Sequence, residues 1–420
     1  MTGIANPLFE PLILPNGATI PNRICKAAME ENLSDAGQLP GERLNRLYRR
    51  WAQGGAGLLL TGNVMVAADA LTGPGGVVLE KHTDLVSFQR WATAGKSGGG
   101  QFWMQINHPG RQVYANMGED AVSASDVPVD LGDYSKLFAK PRALEEGEIE
   151  TIIERFAETA SLAEKAGFTG VQIHAAHGYL INQFLSPLTN KRTDQWGGTL
   201  ENRARLLLAV VERVRSRTSD DFCLSVKLNS SDFQKGGFDQ SDAKWVVEQL
   251  NDMQVDLVEL SGGSYESPAM QGRASQDSTG LREAYFIDFA KEISAVAKMP
   301  IMITGGIRRL SVAQKALDHE QAGSAVDMLG VARALAFDPE LPNNWLNAEK
   351  VDVAIPEVKW KNTTLAGVAT MAVAKAQLER LAKDLNPKPN ISPLLALVGD
   401  RFRTNKRLKR YRRWRNQREN

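Results

Sequence analysis

EIETIIERFAETASLAEKAGFTGVQIHAAHGYL, residues 148–180, holds two periodicities end to end. Ile149, Ile152, Ile153, Phe156, Ala160 and Ala163 recur at helical spacing and put one apolar face on the first part. Gly167 ends that helix, since glycine readily takes the left-handed backbone found just past a helix C-terminus. The short apolar run GVQIH (170–174) then reads as a strand. The same alternation continues in both directions. Strand-like runs fall at 23–28 (RICKAA), 57–61 (GLLLT), 101–106 (QFWMQI), 222–228 (FCLSVKL), 255–260 (VDLVEL), 300–304 (PIMIT) and 326–330 (VDMLG). Helical patterns separate several of them, at 201–217, 243–252 and, more weakly, 284–298. Eight strands alternating with helices predict an α/β fold, a (β/α)8 TIM barrel. An open doubly wound sheet is the alternative, but no Gly-x-Gly-x-x-Gly opens the first helix.

The flanks add detail. LILPNGATI (12–20) places Asn16-Gly17 between two apolar runs, which predicts an N-terminal β-hairpin with a two-residue turn. Residues 108–147, rich in Pro, Gly and Asp, read as an insertion over the barrel mouth rather than a domain. The barrel is expected over 1–345. A C-terminal extension over 346–420 follows, with a helix at 363–385 and a basic tail at 401–420.

Charge is unevenly spread. The net value is +1, yet the tail alone has ten Lys/Arg and one Glu, so the remaining 40 basic and 48 acidic residues leave the body at about −8. Phe402, Tyr411 and Trp414 interleave with the basic residues. Such a tail suits an anionic surface, or an arm docked on its own acidic body or a neighbouring subunit, and docking is the expectation. No nucleic acid or membrane partner is expected, and a homo-oligomer is left open. Cys25 and Cys223 are the only cysteines, too few for an iron–sulfur cluster or cysteine-rich zinc site. The opening residues show no signal-peptide pattern, and no run approaches the roughly 20 apolar residues of a membrane span. The expectation is a cytoplasmic protein.

In a barrel the reactive groups gather at the C-terminal ends of the strands. Those ends read Ala27-Ala28-Met29, Gly62-Asn63, Gln105, His174 with His177, Lys227, Ser261-Gly262-Gly263, Gly305-Gly306 and Ala332-Arg333. Turn chemistry accounts for the glycines but not for Gln105, the histidines or Lys227, each of which needs a partner if buried. The loops after strands seven and eight commonly bind phosphate in barrels; Gly305, Gly306 and Ala332 offer backbone N–H groups there, and Arg333 an opposing charge. His174 and His177 have three readings: metal ligands, satisfied structural side chains, or neutral donors to an oxygen that gains negative charge.

QINHPGRQ (105–112), HAAHGYLINQFLSPLTNKRTDQWGGTLENRARL (174–206) and LGVARAL (329–335), with PNRICKAAM (21–29) and ITGG (303–306), resemble the old yellow enzyme family of FMN-dependent ene-reductases over about residues 5–345. The resemblance implies FMN across the barrel mouth and NADH or NADPH as electron donor. Ala27, Ala28 and Met29 would line the redox-active edge, with Gly62 in the cofactor-binding set. Gln105 would bond the pyrimidine end, Lys227 would sit near N1 and O2, and Gly305, Gly306, Ala332 and Arg333 would hold the phosphate. His174 and His177 would bind the activating carbonyl or nitro group of an alkene, and Tyr179 would donate a proton. Metal ligation is disfavoured on this reading. Where relatives commonly carry Cys or Thr after the methionine, this chain has Glu30, which would either tune the flavin or turn to solvent or an arginine. A metal-dependent barrel hydrolase or lyase, and a flavin reductase of another acceptor, are the alternative functions.

Overall fold

The computed structural model describes residues 6–118, 120–267, 290–318, 326–348 and 352–419. Eight parallel strands close into a barrel in chain order: β1 (Ile24–Lys26), β2 (Leu58–Leu60), β3 (Gln101–Asn107), β4 (Gly170–Ala175), β5 (Cys223–Asn229), β6 (Leu257–Ser261), β7 (Ile301–Thr304) and β8 (Met328–Val331). Pairing of β8 with β1 and of β3 with β4 completes the ring. This is the (β/α)8 TIM barrel that the strand–helix alternation predicts. The expected helices around it form at Glu146–Lys165, Leu200–Arg215 and Gln240–Leu250. Of the helix expected at 284–298, residues 284–289 lie outside the described residues.

Side chains alternate along each strand, and the alternation separates two interiors. Met104 and Ile106, Val171 and Ile173, Leu224, Val226 and Leu228, and Leu329 and Val331 face the helices in the main core. Their neighbours face the barrel axis. At the N-terminal end these are Cys25, Leu58, Leu60, Trp103, Cys223, Leu257, Met302 and Met328, which pack with Leu12, Leu14 and Ile20 of the hairpin. The hairpin therefore plugs the bottom of the barrel. Its turn differs from the sequence expectation: Leu14 N–H bonds Ala18 O, so Pro15-Asn16-Gly17 form a three-residue loop, with Gly17 at φ 87°. A three-residue loop with a left-handed last residue is the next most common hairpin solution.

The C-terminal extension folds back on the barrel. Helices Thr363–Leu381 and Pro393–Glu419 pack together, joined by the buried ion pair of Arg407 with Glu379 at 2.6 Å. The basic tail is thus part of a long helix, not an extended arm. Tyr411 is fully buried beside Met65, Leu71, Val113 and Met117, and Arg412 and Arg415 bond the carbonyls of Asn116 and Gly118 in the insertion. No helix among the described residues is long and apolar enough to cross a membrane.

Candidate active site

Two residues further along the strands, the axial positions become polar. Gln105 and Asn107 on β3, Gln172 and His174 on β4, Ser225 and Lys227 on β5, and Glu259 and Ser261 on β6 are all buried. They form a belt. Gln105 Nε2 donates to Gln172 Oε1 at 2.8 Å, Gln172 Nε2 to Glu259 Oε2 at 2.9 Å, and Lys227 Nζ to Glu259 Oε1 at 2.7 Å. Gln105 and Lys227 are therefore linked beneath the mouth through Gln172 and Glu259, neither of which the sequence reading singled out.

His174 and His177 stand above the belt. Their rings meet edge to face at 5.1 Å, and the Tyr179 ring meets that of His174 at 4.9 Å. His174 Nδ1 accepts the Ala176 N–H at 3.2 Å, which leaves the ring hydrogen on Nε2. His177 Nε2 pairs with Ser261 Oγ at 2.7 Å, so Nδ1 is its remaining nitrogen. Both pKa values lie well below the ordinary value, first because burial penalises the cation; His177 and then Lys227 lower His174 further, and Lys227 lowers His177 further. The pair is neutral at pH 7. Among the described residues no group of three or more His, Cys, Asp or Glu is arranged to hold a metal ion.

The turn that presents these groups is strained and braced. His177 sits at φ 61° and Gly178 at φ 75°. A Cβ on Gly178 would lie 3.0 Å from Ser264 Cβ and 3.1 Å from Gln112 Oε1, so both the backbone angle and the tight space favour glycine. Asn229 accepts the His177 N–H, Asn182 accepts the Gly178 N–H at 2.7 Å, and Gln183 Nε2 donates to Gly178 O at 2.7 Å. Much of the long motif after Tyr179 is thus bracing. Tyr179 is buried, its pKa is raised chiefly by that burial, and its hydroxyl lies 3.1 Å from the Tyr265 hydroxyl. Tyr265, on the loop after β6, also escaped the sequence reading. Phe138 links it to Tyr114, with which it stacks at 5.2 Å, so the insertion contributes to the aromatic wall.

On the β1–β2 side, Ala27 is buried, and Ala28 and Met29 are half-buried. Gly62 sits where a Cβ would meet Glu31 Oε2 at 2.1 Å and Met29 O at 2.2 Å, so no other residue fits. Glu31 belongs to a knot behind the rim: it accepts from Tyr48 Oη and from the Gly62 N–H, while fully buried Lys26 donates to Leu60 O at 2.6 Å. Burial brings Lys26 down to about 8. Glu30 is half-buried, and its Oε1 accepts from Thr72 Oγ1 at 2.5 Å.

At the opposite rim, Gly306 adopts φ 67°, and Ala332 precedes the short helix Arg333–Phe337. Arg333 is pushed below its ordinary pKa by burial and then by Arg308, a second guanidinium in its field. The buried Thr304 hydroxyl has no hydrogen-bond partner among the described residues, and neither do the amide oxygen and nitrogen of fully buried Asn107 at the end of β3. Polar atoms buried without partners are costly in a native protein, and a bound group is one way to satisfy them. Two arginines in each other's field at the rim fit a phosphate, and the unsatisfied Asn107 amide and Thr304 hydroxyl on the axial side fit the edge of a polar ring. The residues present therefore fit FMN.

Comparison with known proteins agrees with this geometry. Residues 7–348 match the NADH:flavin oxidoreductase / NADH oxidase family. The NADH-dependent flavin oxidoreductase iliE of Hypocrea jecorina is 38% identical over 355 residues, covering 79% of this chain and 87% of that protein. The NADH-dependent flavin oxidoreductase nadA of Aspergillus parasiticus is 35% identical over 398 residues, covering 91% and 87%. Among solved structures, the old yellow enzyme homologue from Zymomonas mobilis superimposes with a TM-score of 0.68 at 26% identity, covering 83% of this chain and 94% of that one.

Proposed function

Since the chain belongs to the NADH:flavin oxidoreductase / NADH oxidase family, and is an FMN-dependent oxidoreductase with NAD(P)H as electron donor, we propose that its acceptors are activated alkenes: enones, enals and nitroalkenes. The observation that carries this reading is the meeting of two neutral histidines and a buried tyrosine, with rings 4.9–5.1 Å apart, above the Gln105–Lys227 belt.

When bound, FMN supplies the means to carry hydride from NADH or NADPH to the acceptor. Gln105 and Lys227 would hold its pyrimidine end and Ala27, Ala28, Met29 and Gly62 would line it. Gly305, Gly306, Ala332 and Arg333 would hold its phosphate. The protein's own part begins with orientation. His174 Nε2–H and His177 Nδ1–H would donate to the carbonyl or nitro oxygen, and neutral donors preorganised in a buried site stabilise charge growing there. They draw electron density from the alkene, so the β-carbon becomes the hydride acceptor and the α-carbon becomes basic. Tyr179 would then protonate the α-carbon: its O–H bond breaks, a C–H bond forms, and the electron pair stays on the phenolate oxygen. Burial raises the Tyr179 pKa and keeps the proton in place until that base appears. The Tyr265 hydroxyl is placed to donate to the phenolate afterwards. Residues 1–345 form the catalytic unit on this reading, and 346–420 brace it.

The test is direct. The purified protein should be yellow, release FMN on denaturation, and oxidise NADH or NADPH in step with loss of an enone or nitroalkene C=C bond. An FMN-loaded protein that oxidises NAD(P)H but leaves every member of an enone, enal and nitroalkene panel intact would refute the acceptor assignment.

A further inference from the structure

Glu259 is a wholly buried carboxylate in the middle of an apolar strand, and the mechanism above does not use it. It stands in register with Lys227 on the neighbouring strand, and each of its oxygens takes one hydrogen bond, from Lys227 Nζ and Gln172 Nε2. An ionised carboxylate can only accept. Gln172 must therefore turn its Nε2 toward Glu259 and its Oε1 toward Gln105. Gln105 must in turn give one N–H to Gln172, which leaves its own Oε1 and a second N–H uncommitted by the belt. Lys227 Nζ is paired with the same carboxylate at 2.7 Å, and a buried charge left without its partner is costly. One acceptor-only group thus fixes the hydrogen-bond direction at Gln105 and balances the charge of Lys227.

We propose that Glu259 is a positioning residue which sets both the hydrogen-bond polarity and the net charge of the seat for the pyrimidine end of FMN. The proposal rests on the reading that Gln105 and Lys227 face that end of the flavin. With Glu259 in place, the Lys227–Glu259 pair carries no net charge, and the ammonium draws less on negative charge that reduction places on the flavin. Replacing the carboxylate by an amide of the same size leaves an uncompensated cation in a low-dielectric site. Reduction then becomes easier.

The measurement is the two-electron reduction potential of the FMN-loaded protein, read by dye-equilibrated spectrophotometric titration at pH 7. Glu259→Gln should shift the reduced-to-oxidised ratio at a fixed potential at least tenfold toward reduced, about 30 mV for a two-electron couple. Glu259→Asp, which keeps the charge and shortens the reach, should stay near the native value. Loss of FMN from the Gln variant alone also supports a role for the charge. An unchanged or lowered potential in Glu259→Gln overturns the proposal, as does loss of FMN from both variants, because a merely space-filling residue would give those results. Failure of the underlying reading has a different signature: Gln105→Ala and Lys227→Ala would then leave both FMN affinity and the reduction potential at the native values.

Discussion

At the hairpin end of the barrel, Trp103, Met302 and Met328 fill the axis; two residues later on the same strands stand Gln105, Thr304 and Gly330. The backbone is equivalent at the two levels, and only the side chains change. The lower level packs apolar surface against Leu12, Leu14 and Ile20, so its contribution is stability. The upper level holds three buried amides, an ion pair and two histidines, and leaves the Asn107 amide and the Thr304 hydroxyl without partners among the described residues. A level built that way weakens the fold unless a ligand satisfies it. The two levels show how one barrel separates holding its shape from presenting chemistry.

The largest effect should come from breaking the lower level. Trp103→Ala removes a fully buried indole and should cost about 3–5 kcal/mol, measured by urea or thermal unfolding, as large-to-small changes of aromatic residues in cores do. An equivalent loss should not follow from Gln105→Ala, which touches only the polar belt.

Acid should act on the upper level. His108 and His174 are buried and His177 is half-buried; desolvation lowers all three, His108 to about 4. In the unfolded chain each would titrate near 6.5, so below that pH the unfolded state binds more protons than the native state. Their contribution is fully present above about 6.5 and is lost as pH falls toward the native-state values; for His108 the loss by pH 5 is on the order of 2 kcal/mol. Melting curves between pH 7 and pH 5 should show Tm falling with each step, and a His108→Gln variant should lose part of that slope.

A smaller change would sharpen the comparison. Ser261→Ala removes the partner of His177 Nε2 without disturbing the apolar level. It should cost about 1 kcal/mol or less in stability. It should raise the KM for enone, through a looser imidazole, more than it slows flavin reduction by NAD(P)H.

The barrel was legible in the sequence because eight apolar runs alternate with helical patterns, and Gln105, His174, His177 and Lys227 do gather at one end of it. The belt was not. Glu259 lies inside VDLVEL and Gln172 inside VQIH, where a single polar residue reads as an interruption of an apolar run. The available signal was the two-residue spacing of polar positions: Gln105 and Asn107, Gln172 and His174, Ser225 and Lys227, Glu259 and Ser261. That spacing marks one side of a strand, and in a closed barrel that side is the axis. The Tyr179–Tyr265 contact could not be read at all, since 86 residues separate the partners and only the closed barrel brings their loops together. The docking of the tail was expected, but the identity of its anchor, Tyr411 in a pocket shared by the insertion and the loop after β2, depends on the folded surface.

The proposal that the upper level performs proton-coupled alkene reduction turns on Tyr179. Stopped-flow measurement of the two half-reactions of Tyr179→Phe separates its role from general damage to the site. The account predicts that flavin reduction by NAD(P)H is nearly unchanged while oxidation of the reduced protein by an enone slows about 10²–10⁴-fold, the usual span for loss of a positioned general acid. Equal slowing of both half-reactions, or no slowing of either, would contradict it.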